Sequence, residues 1–559
     1  MINRSKLILL LTVWCMALLP SAIQAQPGFD QVRNHCNVQV QSRYRSVLAD
    51  SQRIVFAGVA LRDNAQGPCD QIVSVIGAYG YNGNLLWSKQ LGFQHPVYKS
   101  GDVSPDALCK LSANRYALVS HGNLCDGTYI KARPFLYFFN QNGDSLGFAA
   151  LPVTNPDALY TANTITTDAQ NNILIAGIYR NHPLADTAAA WLAKFTSSGQ
   201  LLWLKHLSGG DYAETALSYV ERIMTGNSSG QYVLCGNKSY LDTTLRRTDD
   251  AIWKTDMQGN VIWQRNLPKY NGWVNEYSTG DHFFDIVKAV NGSGYYFAAS
   301  GPKALSIPGE PGAYQTQYYC GKLSENGNVV WARTYSIDTS RSDGSLAIVQ
   351  RPNGDLLIMG TSGDYGPVPD SSGVTLFCTD SLGHVKWMKL NRHYNCPNAQ
   401  PEQTLVAMAI APVSGNIVRV GGISQDGPQP GCWDTAGALS WIVYTDSLGR
   451  LNPNDTATYP LQESDVDYGP TGVAMPQKEH LRFSVYPNPV KDKLEIVLNG
   501  FAGSTSDIFV MVYDFTGKVI AQQSLSQRQI NMAAFPPGIY GVQLRYKGQD
   551  WGVQKIVKL

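Results

Sequence analysis

The string in this chain that most resembles a catalytic device is "GNSSG", residues 226–230, in which Ser228 would be the nucleophile of a Gly-x-Ser-x-Gly elbow. That chemistry needs a strand before the serine and a helix after it. Here the string occupies the same place in a repeat as "RPNGD" at 351–355, so a hairpin turn is the expected structure. No His-Glu-x-x-His, Cys-x-x-Cys, phosphate loop, GxGxxG or EF-hand loop is written in the chain, and its nine histidines lack metal-ligand spacing. No catalytic residue, metal ligand or cofactor is therefore assigned. Five aromatic residues, Tyr270, Trp273, Tyr277, Tyr394 and Trp433, fall in long connections where they could stack on sugar rings.

The elements that would position them repeat. Turn glycines recur at 83, 143, 199, 259, 327, 383 and 449, with gaps of 60, 56, 60, 68, 56 and 66 residues, the mark of a repeat array. A tryptophan follows four residues after five of them: Trp87, Trp203, Trp263, Trp331 and Trp387. The copies "FFNQNGDSLGF" and "VYTDSLGRLNP" keep the turn without the tryptophan. Each unit also carries a strand such as "RIVFAG", "NILIAG" or "DLLIMG", with an apolar strand before it. One unit thus reads as four short antiparallel strands, A to D. Seven units predict an all-β fold, a seven-bladed β-propeller over residues 44–452. An open β-solenoid is the alternative. Each tryptophan is expected to wedge between adjacent sheets, burying about 150–250 Å². The long B–C and D–A connections would share one face of the propeller, where recognition is expected.

At the N-terminus Arg4 and Lys6 precede the 13-residue apolar run 7–19 and then "SAIQA", the pattern of a signal peptide cleaved after Ala25. The run would span roughly 20 Å as a helix, short of the ~30 Å hydrocarbon core. No transmembrane segment is expected after cleavage. Residues 26–43 read as an N-terminal extension. The formal charge is +1, or −1 without residues 1–25, which gives no electrostatic case for nucleic acid. After a polar, proline-containing linker at 453–480, residues 481–559 form about seven short alternating strands, enough for a small Ig-like β-sandwich.

The repeat resembles the β-propeller repeat of quinoprotein-like and related bacterial surface proteins, in variants such as "TDMQGNVIW" (Thr255 to Trp263) and "TDSLGHVKW" (Thr379 to Trp387). It differs from the sialidase Asp-box, and the vicinal cysteine pair of many quinoprotein dehydrogenases is missing. The C-terminal module resembles the type A sorting domain of type IX secretion system cargo. The matching residues are Tyr486, Pro487, Asn488 and Pro489, then Gly517, then Gly538, Ile539 and Tyr540, and the terminal "KIVKL" with Lys555 and Lys558. This resemblance implies the type IX machinery as a partner and delivery to the outer surface of a Gram-negative bacterium, or release from it. The sorting domain is usually removed in that family.

Two function classes follow: a surface-displayed propeller that binds a glycan or protein, and a secreted hydrolase or lyase acting on polysaccharide. Without Cys15, nine cysteines enter an oxidising compartment. Cys235, Cys320 and Cys378 lie in apolar strands and read as buried small hydrophobes. The others are expected to pair within blades as Cys36 with Cys69, Cys109 with Cys125 and Cys396 with Cys432. Seven tripeptides, beginning at Asp144, Asp186, Asp242, Asp380, Asp434, Asp446 and Asp455, resemble the O-glycosylation sequon of the same bacterial group. They are equally good turn chemistry.

Overall fold

A computed structural model describes residues 28–33, 42–61, 72–91, 100–104, 107–112, 114–125, 130–153, 155, 157–182, 188–207, 217–225, 231–241, 246–266, 285–290, 293–306, 314–337, 341–364, 373–391, 402–424, 439–466, 482–499, 508–514, 518–525, 529–546 and 549–559. Every named element is a strand. Among the described residues no helix is long and apolar enough to cross a membrane. The chain divides into two compact units, Met1–Asp467 and Tyr468–Leu559.

Among the described residues the first unit has seven antiparallel, propeller-like sheets. Strands A to D are Ser42–Ala49, Ile54–Leu61, Ile72–Tyr79 and Leu85–Leu91 in sheet 1, and Leu159–Thr167, Ile173–Arg180, Ala189–Phe195 and Leu201–Leu207 in sheet 3. Sheet 4 has Leu217–Thr225, Tyr232–Leu241, Arg246–Thr255 and Val261–Asn266; sheet 6 has Arg341–Gln350, Leu356–Asp364, Gly373–Thr379 and Val385–Asn391. In sheet 2 strand A is broken into Ser100–Asp102 and Leu108–Ser112, both pairing with Arg115–Cys125, and Ile130–Asn140 and Ser145–Ala150 follow. Sheet 5 comprises Asp285–Lys288, Tyr295–Ser306, Tyr314–Leu323 and Val329–Ser336.

Sheet 7 departs from the repeat read in the sequence. Its first three strands are Glu402–Ile410, Ile417–Ser424 and Leu439–Thr445, but its fourth is Phe29–Arg33. The turn at Gly449 leads into no strand D; "RLNP" ends at Pro453, which has no N–H for a ladder. Residues 29–33, set apart in the sequence as an extension, bring what that edge needs. Phe29 stacks on Tyr444 with ring centroids 5.2 Å apart, and Trp441 Nε1 donates to Asp30 Oδ1 at 2.6 Å. Beyond Pro453 the chain doubles back along other edges. Tyr459 N donates to Met388 O of sheet 6 at 3.2 Å, and Gln462–Asp465 adds a fifth strand to sheet 5 beside Val329–Ser336.

The repeated turn has a local cause. Asp380 Oδ1 accepts from the N–H groups of Leu382 and His384 at 2.8 and 2.9 Å, and Asp256 and Asp446 do the same in their turns. The turn then closes through a glycine in the left-handed region, such as Gly143 at φ 77°. That glycine is also a floor for an aromatic ring from the sheet before it. A Cβ on Gly143 would lie 2.6 Å from Trp87, and one on Gly259 2.6 Å from Trp203. Trp263, Trp331 and Trp387 lie likewise against Gly327, Gly383 and Gly449. Phe138 and Ala149 replace the missing tryptophan over Gly199.

The other repeated glycine, at the end of strings such as "RIVFAG", answers a bulge. Strand A shifts register by one residue in sheets 1, 3, 4, 6 and 7, as between Tyr44 and Ser46 or Ala162 and Thr164. The shift presses a carbonyl onto strand B: a Cβ on Gly58, Gly177 or Gly360 would lie 2.2, 2.0 or 2.2 Å from the oxygen of Arg43, Thr161 or Gly344.

Among its described residues the second unit has two antiparallel sheets. One is Arg482–Tyr486, Lys493–Asn499 and Gln529–Asn531; the other runs Val519–Ser524, Ile508–Tyr513, Gly538–Tyr546, Gln549–Lys558. Their inward residues, among them Leu494, Ile496, Val510, Val542 and Ile556, share one buried core.

Candidate functional site

The residues singled out in the C-terminal module converge on its last strand. Period-2 alternation places Tyr540 and Ile556 in the core and turns Ile539 and Val557, which lie opposite each other in the ladder, to the outside. Gly538 stands opposite Lys558. Asn488, between two prolines with cis peptide bonds, clamps this strand from its free edge. Its Nδ2 donates to Lys555 O at 3.0 Å, and Val557 N donates to its Oδ1 at 2.9 Å. Val490 continues the clamp, donating to Val557 O at 2.8 Å and accepting from Leu559 N at 2.9 Å. Tyr540 Oη donates to Pro536 O at 2.7 Å. Asn488 and Val490 therefore hold the last strand, and Tyr540 fastens the turn that leads into its own strand. Tyr486, Ile539 and Lys555 stay exposed. Tyr486 is hydrogen-bonded to Glu495, which raises the phenol above its usual value. Gly517 lies outside the described residues.

In the first unit, charged side chains gather at sheet interfaces. Tyr232 of sheet 4 donates to Asp168 Oδ2 at 3.3 Å, and Lys194 Nζ of sheet 3 bridges the pair at 2.8 Å from Asp168 and 2.9 Å from the phenol. Between sheets 1 and 2, Tyr116 donates to Asp50 Oδ2 at 2.5 Å with Lys110 Nζ 3.6 Å away. Between sheets 4 and 5, Glu325 accepts from Tyr295 Oη at 2.8 Å and Gly294 N at 2.9 Å, with Lys254 at 3.3 Å and Lys288 in direct contact. Burial pushes each of these carboxyls up, but their donors outweigh it. Asp50 and Asp168 lie below the usual range and Glu325 falls to about 2. All three are charged, satisfied groups that bind sheets together. Nothing in the sequence marked them except a tyrosine opening strand B in "RYALV", "QYVLC" and "GYYFA". Among the described residues no group of three or more His, Cys, Asp or Glu could hold a metal ion.

The expected Cys109–Cys125 bridge is not formed. Cys109 pairs with Ala117, while Cys125 ends the same eleven-residue strand eight residues further on. At about 3.3 Å per residue that is ~26 Å, against a Cα separation of at most about 7 Å for a disulfide. Strand B of this sheet runs on to Cys125 itself and carries it away from Cys109. Cys109 is instead a buried thiol pushed up to about 12 by burial, as is Cys320, and Cys378 rises to about 11 for the same first reason. Cys235 is buried too. Cys36, Cys69, Cys396 and Cys432 lie outside the described residues, as do Tyr270, Trp273, Tyr277, Tyr394 and Trp433 and the string around Ser228. Of the seven tripeptides, Asp380 and Asp446 serve as turn caps, and Asp455 accepts from Lys389 Nζ at 3.2 Å.

Residues 484–558 match the family model described as a secretion system C-terminal sorting domain. The chain thus carries an export tail, the mark of a protein secreted or delivered to the surface of a Gram-negative bacterium. No curated protein matches the chain. Among solved structures, an α-L-arabinofuranosidase of Fusarium graminearum is similar at 10% identity and TM-score 0.37, over 64% of this chain and 98% of that one. PorZ, an essential surface component of the type IX secretion system of Porphyromonas gingivalis, is similar at 10% identity and TM-score 0.21, over 92% and 81%. Semaphorin 2a of Drosophila is similar at 9% identity and TM-score 0.39, over 95% and 99%. At such scores these likenesses fix neither the number of sheets nor an activity.

Proposed function

We propose that this chain is a type IX secretion system cargo: a closed seven-bladed β-propeller, led through the inner membrane by a signal peptide at 1–25 and delivered outward by an Ig-like type A sorting module at 481–559. The match of residues 484–558 to a sorting domain carries the export half of the reading. Closure is supported by the aromatic contacts. Each sheet from 1 to 6 lays a ring on the turn glycine of the next, and Phe29 and Gln31 of sheet 7 lie against Gly83 of sheet 1. Such nearest-neighbour contacts stabilise a repeat array unit by unit.

Once outside, the propeller acts as a binding or adhesion module for a glycan or protein. Recognition falls to the B–C and D–A connections, with Tyr270, Trp273, Tyr277, Tyr394 and Trp433 as the aromatic contacts. Binding is favoured over acid–base chemistry because the described buried carboxylates are engaged: Asp285 accepts from Ile286 N and Ile348 N, and Asp343 from Ser336 and Ile337. A glycan array probed with the secreted protein, run beside a turnover assay on the same polysaccharides, tests this. Retention of a glycan without turnover is expected; release of reducing ends would assign the protein to the hydrolases or lyases instead.

A further inference from the structure

We propose that the outward face of the sheet Val519–Ser524, Ile508–Tyr513, Gly538–Tyr546, Gln549–Lys558, centred on the Ile539–Val557 pair and Lys555, docks on an acceptor protein of the export machinery. That acceptor presents an apolar patch flanked by carboxylates. The inference rests on the export reading above and names the surface that performs it.

The residues of the last strand divide by face. Ile556 points into the core, whereas Val557 is 37% exposed, Leu559 63% and the facing Ile539 48%. Val519 adds an exposed apolar residue two strands away, beside Tyr513 and Gly541, whereas Phe509, opposite Arg545, stands apart at the other end of the sheet. Apolar side chains gathered on one sheet face mark an interaction surface more often than isolated ones do. The face is also held still: the Asn488 side chain and the Val490 backbone each make two hydrogen bonds to the backbone of its edge strand and Leu559. A fixed face loses little freedom on binding.

Charge selects the partner. Residues 481–559 hold nine Lys and Arg against five Asp and Glu, while residues 26–480 hold 33 against 38. Lys555, two residues from Val557, stands on the same face. An acceptor rimmed with carboxylates attracts the tail of this chain and repels its body.

The test uses the full chain in a type IX-competent bacterium. Ile539→Thr/Val557→Thr keeps β-branched residues at both strand positions, and Lys555→Glu reverses the charge at an exposed site. Expected for both is an unchanged thermal midpoint, with protease-accessible surface protein reduced at least tenfold and the remainder in the periplasm. Deletion of 481–559 runs alongside. If the deletion is still exported, the export reading itself fails. If the deletion is retained but both face variants reach the surface at wild-type levels, the tail is the address and this face is not its docking surface. A dimer in sedimentation that the double variant converts to monomer, with export intact, would assign the face to a second copy and overturn the proposal.

Discussion

Gly143 and Gly354 offer a matched pair for separating backbone strain from sheet-to-sheet packing. Both close a four-residue turn, donating to Asn140 O at 3.0 Å and to Arg351 O at 2.9 Å, and both have positive φ, 77° and 92°. They differ in what an added methyl would meet: Trp87 of the preceding sheet at 2.6 Å for Gly143, and nothing within 4 Å for Gly354. Alanine in the left-handed region costs about 1–2 kcal/mol, and overpacking a well-filled contact about 1–3 kcal/mol more. Gly354→Ala should therefore cost about 1–2 kcal/mol and Gly143→Ala about 2–5 kcal/mol. Urea unfolding of the purified protein, followed by tryptophan fluorescence, measures both. Adding Trp87→Ala to Gly143→Ala should remove the packing part, so the two changes combine to less than their sum. Equal costs for the two alanine variants, within about 0.5 kcal/mol, would refute the claim that the turn glycine exists to seat the neighbouring ring.

Acid should weaken the interface of sheets 4 and 5. The Glu325 carboxyl, at about 2 when folded against an ordinary 4.5, contributes its stability fully above pH 4.5 and loses it as pH falls toward 2. Glu325→Gln should flatten that part of the stability–pH curve; an unchanged slope would contradict the pairing with Lys288 and Tyr295. Cys109, Cys320 and Cys378 should resist thiol reagents in the native protein and react after denaturation, and peptide mapping should find Cys109 unlinked to Cys125. Removing residues 26–33 strips sheet 7 of its outer strand and should lower the thermal midpoint and broaden the transition; an unaltered melt would argue that this strand adds nothing to the stability of sheet 7.

Much of this was legible in the sequence because a turn is a local object. The x-Gly-x turn and its tryptophan repeat in text since positive φ and the ring it carries both demand particular residues at fixed offsets. Strand D of sheet 7 was not legible: "FDQVR" pairs with a strand 411 residues away, as the Trp441–Asp30 bond shows, and the turn at Gly449 looks like its six relatives. The Cys109–Cys125 pairing failed for a related reason, since strand length moves a side chain by about 3.3 Å per residue and no pattern announced eleven residues. In the tail the words around Tyr486 and Asn488 were readable, but Val557 and Leu559 passed unnoticed. Which side of the sheet they occupy depends on register, and a slip of one residue would have buried them.

Where the protein goes when its tail is removed is the most direct readout of the export address. Expressed in its source bacterium without residues 481–559 and treated with protease on intact cells, the truncated chain should be protected and recovered from the periplasm, while the full chain is digested at the surface or found in the medium. Surface digestion of the truncated chain equal to that of the full one would contradict the assignment of residues 484–558 as the export address.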